Sequence, residues 1–171
     1  GEVQLAYRDA VSGRQHSLAL RQLELVRNHQ GHGLDAEGSV QGQRWQVDGQ
    51  LGQLEQLLAN QAAWPFTLQL RSTGARVDVA GQLLPGPAPR SGSLDVEATL
   101  DKVAALAPWV PPVAHVPLPI ELKTTLQLTT ESLHAEPLRV SAAGQAVDGS
   151  LSLRNGNPWQ LDGRLHAETI D

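Results

Sequence analysis

The chain has 171 residues, with 13 Lys and Arg against 18 Asp and Glu, a formal net charge of −5, and neither cysteine nor methionine. The absence of any Lys/Arg cluster argues against nucleic acid as a partner, because phosphate backbones need basic patches; zero cysteines exclude disulfides and thiolate metal sites. Phe and Tyr occur once each beside four Trp, so Leu, Val and Ala carry the apolar content. That is enough to coat one side of a sheet but short of the aromatic fill of a two-sheet sandwich.

Val3, Leu5 and Tyr7 share one parity and predict a first strand. The next run, Leu18-x-Leu20-x-x-Leu23-x-Leu25, slips by one residue at Arg21-Gln22. Successive strand side chains point to opposite faces, so the slip predicts a bulge that returns Leu23 to the face of Leu20. A strand over Gly33–Val40 follows, and then the phrase Trp45-Gln46-Val47-Asp48-Gly49-Gln50-Leu51. Leu54, Leu57 and Leu58 have the i, i+3, i+4 spacing of a short amphipathic helix. Trp64, before Pro65, is placed to close that helix onto the sheet.

Phe66, Leu68 and Leu70 alternate with Thr67, Gln69 and Arg71, and Ala75, Val77, Val79 and Leu83 with Arg76, Asp78 and Gln82. Leu94–Leu100 is a looser strand, after which Asp101 is placed to N-cap a second short helix carrying Val103 and Leu106. The stretch 103–120 is nearly all apolar and has the length of a membrane-spanning helix. Its five prolines forbid a continuous helix. It reads instead as the short helix followed by an extended connector over the edge of the core, or an apolar lip at the mouth of a groove.

Leu122, Thr124, Leu126 and Leu128 alternate with Lys123, Thr125, Gln127 and Thr129. Leu133-x-Ala135-x-x-Leu138-x-Val140 then repeats the first unit, with the same slip at Glu136-Pro137, where a proline that cannot donate to a ladder fits. Gly144–Leu151 matches Gly33–Val40, and Trp159-Gln160-Leu161-Asp162-Gly163-Arg164-Leu165 matches the Trp45 phrase. The chain therefore reads as one β-rich region over 1–171. Its repeat units cover about 1–60, 61–107 and 120–171, with a Pro-rich connector at 108–119. The expected fold is mainly β: about eleven antiparallel strands with one apolar and one watered face, plus two short helices. Repeated strands build an extended surface or groove rather than one catalytic pocket. Unit three stops at Ile170-Asp171 where a helix is due, and the chain opens on Gly1. Both suggest a piece of a longer protein from which any signal or anchor has been removed.

Little in the sequence points to catalysis. His29-Gln30-Gly31-His32 is the one close histidine pair, without the third and fourth ligands that a metal needs. His16, His115, His134 and His166 are scattered. Asp35/Glu37 and Asp95/Glu97 stand two apart on predicted strands, about 7 Å between side chains on one face, but on the polar parity. Asp48 and Asp162 recur before Gly49 and Gly163, which favours a structural role in spacing or edge protection. No nucleophile elbow and no phosphate-binding glycine loop occurs. Trp45 and Trp159, at equivalent strand starts, are expected to anchor the core. No catalytic residue, metal or cofactor is predicted.

The order of these motifs resembles the AsmA family. The carriers are Val3-Gln4-Leu5-Ala6-Tyr7-Arg8-Asp9 with Ser12-Gly13-Arg14 and Leu18–Leu25, then Gly42-x-x-Trp45-x-Val47-x-Gly49-x-Leu51-Gly52-x-Leu54-x-x-Leu57-Leu58 with Trp64-Pro65. The Val116-Pro117-Leu118-Pro119 joint and the closing Leu161-x-Gly163-x-Leu165-x-Ala167-x-x-Ile170-Asp171 are similar too. The resemblance covers nearly the whole chain. It implies a curved, groove-like (β-taco-like) sheet in the periplasm, held to the inner membrane by an anchor these residues lack. The implied role is shielding phospholipid acyl chains on their way to the outer membrane. The expected groove residues are Leu68, Leu70, Val77, Val79, Leu94, Val96, Leu122, Leu126, Leu128, Val147 and Leu151. The alternative is a non-catalytic structural or interaction module for outer-membrane homeostasis, with envelope protein partners at a sheet edge.

Overall fold

A computed structural model of the chain describes residues 3–8, 15–86, 91–102, 117–156 and 159–168. They form one antiparallel sheet of eleven strands whose spatial order is the chain order. The strands are β1 (Val3–Arg8), β2 (Gln15–Asn28), β3 (Gly31–Val40), β4 (Gln43–Leu51), β5 (Trp64–Ser72), β6 (Ala75–Leu83), β7 (Gly92–Leu100), β8 (Ile120–Leu128), β9 (Ser132–Ala142), β10 (Gln145–Arg154) and β11 (Gln160–Glu168). β1 and β11 each have one neighbour, so the sheet is open and does not close into a barrel.

Local sequence explains the meander. Period-two alternation commits each segment to a strand, and the short corners after β2, β3, β5, β8 and β9 bring each next strand back beside its predecessor. At Gln41-Gly42 and Ala143-Gly144 both residues of a two-residue corner have positive φ, 49° and 81° in each case. This is the hairpin turn whose twist matches the flanking strands, and it recurs at the same place in both outer units. The two parity slips are bulges, as expected. The β2–β3 register shifts between Leu20 and Gln22. In β9 the extra residue falls at Glu136–Pro137, seen as a shift from both β8 and β10.

One helix is present among the described residues, α1 (Leu54–Ala59), between β4 and β5. Asn60 ends it in the left-handed conformation, and its side-chain amide exchanges two hydrogen bonds with the backbone of Gly86, 2.8 and 3.0 Å. Trp64 fulfils its expected role: buried, it donates Nε1–H to the Gln53 carbonyl at 3.1 Å and packs on Phe66 with ring centroids 5.7 Å apart. The amphipathic reading of α1 fails at Leu58, which is 82% exposed. Leu54 and Leu57 are half-buried, and a helix of six residues lying over a single layer has nothing to cover its next apolar position. The second expected helix and the proline-rich stretch at 103–116 lie outside the described residues.

The sheet is a single layer among the described residues. Two sheets packed face to face enclose their inner side chains, yet no large side chain here is fully enclosed. The buried apolar residues are Ala36, Trp64, Leu100, Ala135, Leu138 and Ala146.

Candidate functional site

Residues directly opposite each other in an antiparallel ladder share a face, so the registers assign every strand side chain. One row across the sheet runs Ala36, Val47, Leu70, Val77, Ala98, Leu122, Val140 and Val147. Beside it runs Leu34, Gly49, Leu68, Val79, Val96, Thr124 and Leu138. On the far side come Gly81, Leu94, Leu126, Ala135 and Leu151, and next to these Leu83, Gly92, Leu128, Leu133 and Leu153. All eleven residues expected to line a groove therefore stand on one face, in adjoining rows.

From β3 to β11 no Asp, Glu, Lys or Arg is in register on that face. Its lateral extent from β3 to β11 is eight strand spacings, about 38 Å, and nine residues along each strand give about 30 Å. Glycines keep it smooth. A Cβ at Gly49 would meet the Thr67 carbonyl at 2.2 Å and Leu68 Cδ2 at 2.8 Å, so Leu68 lies flat where a side chain would otherwise stand. Thr124 is the single polar residue in the central rows, 6% exposed, with Oγ1 unpartnered between Val96 and Leu138.

The opposite face collects the charges. Glu97 pairs with Lys123, Arg76 with Asp78 at 2.7 Å, Arg71 with Asp48 at 3.6 Å and Arg139 with Asp148 at 3.6 Å. Thr125 donates to Asp95 at 2.7 Å, and Gln127 to Ser93 at 3.0 Å. Hydrogen bonds from Arg76 and Gln69 hold the Asp78 carboxyl below the ordinary carboxylate range, and the hydrogen bond to Asp78 in turn raises Arg76. Hydrogen bonding to Glu97 raises Lys123. Asp35/Glu37 and Asp95/Glu97 lie on this watered face. Shallow crevices between these ladders are lined by such residues as Asp48, Gln69, Asp78 and Glu97. Among the described residues, three or more His, Asp or Glu nowhere gather into a metal-binding group. No helix there is long and apolar enough to cross a membrane.

The two tryptophans of the repeated phrase part company. Trp45 is half-buried, with its ring over Gly38, the residue opposite it. Trp159 is 63% exposed. The core-anchor expectation is corrected for Trp159: it sits just before β11, which has a neighbour on one side only. Asp48 lies in an interior strand and Asp162 in an edge strand, so edge protection describes only the second. Leu34, Leu133, Leu138 and Leu153 belong to the apolar face as well and were not among the expected groove residues. Their parity within the repeat, carried past the β9 bulge, was the signal that identifies them.

Compared with protein-family models, curated proteins and solved structures, the chain matches none.

Proposed function

We propose that this chain is a lipid-shielding module of the AsmA-like kind, in which phospholipid acyl chains rest on the aliphatic face while headgroups stay at its polar rim. The observation that carries this reading is an aliphatic face that, among the described residues, meets no second layer and has no charged residue in register from β3 to β11. An open twisted sheet of this width curls, which turns such a face into a trough. One leaflet of hydrocarbon is about 15 Å deep, so the face has room for several chains side by side. A chain lying on an open surface is covered on one side, so about half of the full 0.8 kcal/mol per methylene is gained, roughly 0.4 kcal/mol. The gain is nearly the same at each row, which lets a chain slide without a deep trap and without a catalytic residue. In this reading the module works in the periplasm, tied to the inner membrane by an anchor outside these residues, and phospholipid moves towards the outer membrane.

The test is a photo-crosslinking residue at position 126 or 127 in protein incubated with phospholipid vesicles, followed by native mass spectrometry. Leu126 stands opposite Leu94 and Ala135 on the aliphatic face, and Gln127 on the polar one. Capture of phospholipid at 126 and not at 127 is expected. Equal capture at both, or none at either, sinks the lipid reading in favour of a purely structural role.

A further inference from the structure

The sequence has no run of basic residues, yet the register gathers arginines from three strands at one end of the polar face. Gln46 of β4 stands opposite Glu37 of β3 and Arg71 of β5. Arg44 lies two residues before Gln46 and has Ser39 opposite it on β3. Residues two apart on a strand share a face about 7 Å apart, so Glu37 and Arg71 are the diagonal neighbours of Arg44. Long side chains reach one another across such a diagonal. Arg21 comes from the β2 bulge. The β2–β3 register skips it between Leu20 and Gln22, so Arg21 and Gln22 both meet β3 at Glu37.

Arg21, Arg44, Arg71, Glu37 and Gln46 line one open crevice of about 380 Å³. Three arginines against one carboxylate give it a local charge of +2 on a chain of −5. The crevice between β4 and β7 is lined instead by Asp48, Asp78, Asp95 and Glu97, with no cation. Ion pairing does not absorb the surplus. Elsewhere on this face Arg76, Lys123 and Arg139 each have a carboxylate partner. Arg71 approaches Asp48 to 3.6 Å, but among the described residues Arg21 and Arg44 have no ion pair.

We propose that this crevice is a binding site for a phosphate group, borne by a phospholipid headgroup or by a soluble phosphate. A guanidinium offers parallel N–H donors that match two phosphate oxygens, and it stays charged at any physiological pH. Three strand spacings, about 14 Å, separate β2 from β5. Arg21 and Arg71 therefore flank the crevice on opposite sides, Arg44 closes the end nearest the β3–β4 corner, and Gln46 between them adds an amide donor. Glu37 is the built-in opponent, an exposed carboxylate that repels an incoming anion. The site lies on the polar face, so it stands or falls apart from whatever rests on the aliphatic one.

The test is a titration with inorganic phosphate at low ionic strength, read by NMR at the arginine Nε–H groups. Saturable shifts at Arg21, Arg44 and Arg71 and not at Arg139 are expected, with a Kd of about 1–10 mM, the range that two charge-assisted pairs in water supply. Arg44→Gln should weaken binding about three- to tenfold, and Glu37→Gln should strengthen it at least about twofold by removing the opposing charge. Arg139→Gln, on the same face but paired with Asp148, should change it less than about 1.5-fold. All three residues are exposed, and circular dichroism checks that each variant keeps its sheet. Co-sedimentation with phosphatidylglycerol vesicles separates the sources. Vesicle binding that Arg44→Gln weakens as much as phosphate binding marks a lipid headgroup; vesicle binding indifferent to Arg44→Gln, with phosphate still bound, marks a soluble phosphate. No saturable shift below about 50 mM phosphate, shifts spread equally over Arg76 and Arg139, or an affinity unchanged by Glu37→Gln would each overturn the proposal.

Discussion

Leu126→Glu separates an open aliphatic face from a closed core by magnitude alone. Leu126 is half-buried between Leu94 and Ala135 in the middle of β8. Complete burial of a leucine contributes about 1.5–3 kcal/mol, so losing a half-buried one costs about 1–1.5 kcal/mol. The glutamate carboxylate extends from an uncovered face and stays hydrated, adding little, which gives a total of about 1–2 kcal/mol. In a closed interior the stranded charge would add several kcal/mol more. Leu138, 8% exposed beside Thr124, is the internal comparison: Leu138→Glu should cost about 3–5 kcal/mol. Gln127→Glu on the polar face should change stability by less than about 0.5 kcal/mol. Urea unfolding followed by far-UV circular dichroism measures all three. A loss above about 4 kcal/mol at position 126, matching that at 138, would refute the uncovered face, since only an enclosed carboxylate is that costly.

Deleting Arg21, the extra residue of the β2 bulge, should leave the fold intact with a stability change of about 1–2 kcal/mol, because every later residue keeps its face; deleting Asp78 from β6 should cost more than about 4 kcal/mol by turning apolar residues outward. Equal losses for the two deletions would show that the bulge is not what reconciles the parity. Gly49→Val should destabilise by at least about 1–3 kcal/mol, as its Cβ meets the Thr67 carbonyl at 2.2 Å, and a melting temperature unchanged from the original would mean that β4 and β5 do not approach as described. Arg76 and Gln69 depress the Asp78 carboxyl in the fold. The stability from this pair is therefore present above the unfolded-state pKa and is lost as pH falls through the lower folded value. Because both groups are exposed the stability effect is small, and carbon-detected titration is the better measure: Arg76→Gln should move Asp78 back towards the ordinary range, and no movement would remove Arg76 as the cause.

Strand composition and facing were legible in the sequence because they depend on a period of two that each segment carries within itself. Leu68, Leu70, Val77 and Val79 declare their face by alternation with Gln69, Arg71 and Asp78, and the slips at Arg21-Gln22 and Glu136-Pro137 announce the bulges before any partner strand is known. Trp64 was legible for the same reason, since its neighbours in the chain are also its neighbours in space. Trp159 and Leu58 were not. Their surroundings depend on what covers them: a strand on the second edge for one, a second layer for the other. The sequence of β4 and that of β11 are nearly the same over the phrase, yet one is half-buried and the other exposed, because burial belongs to the neighbours and not to the residue. The single layer itself was decided only in three dimensions. Aliphatic alternation predicts that one face avoids water, but whether that face meets another sheet, its own curvature or nothing depends on long-range packing, which no local period encodes.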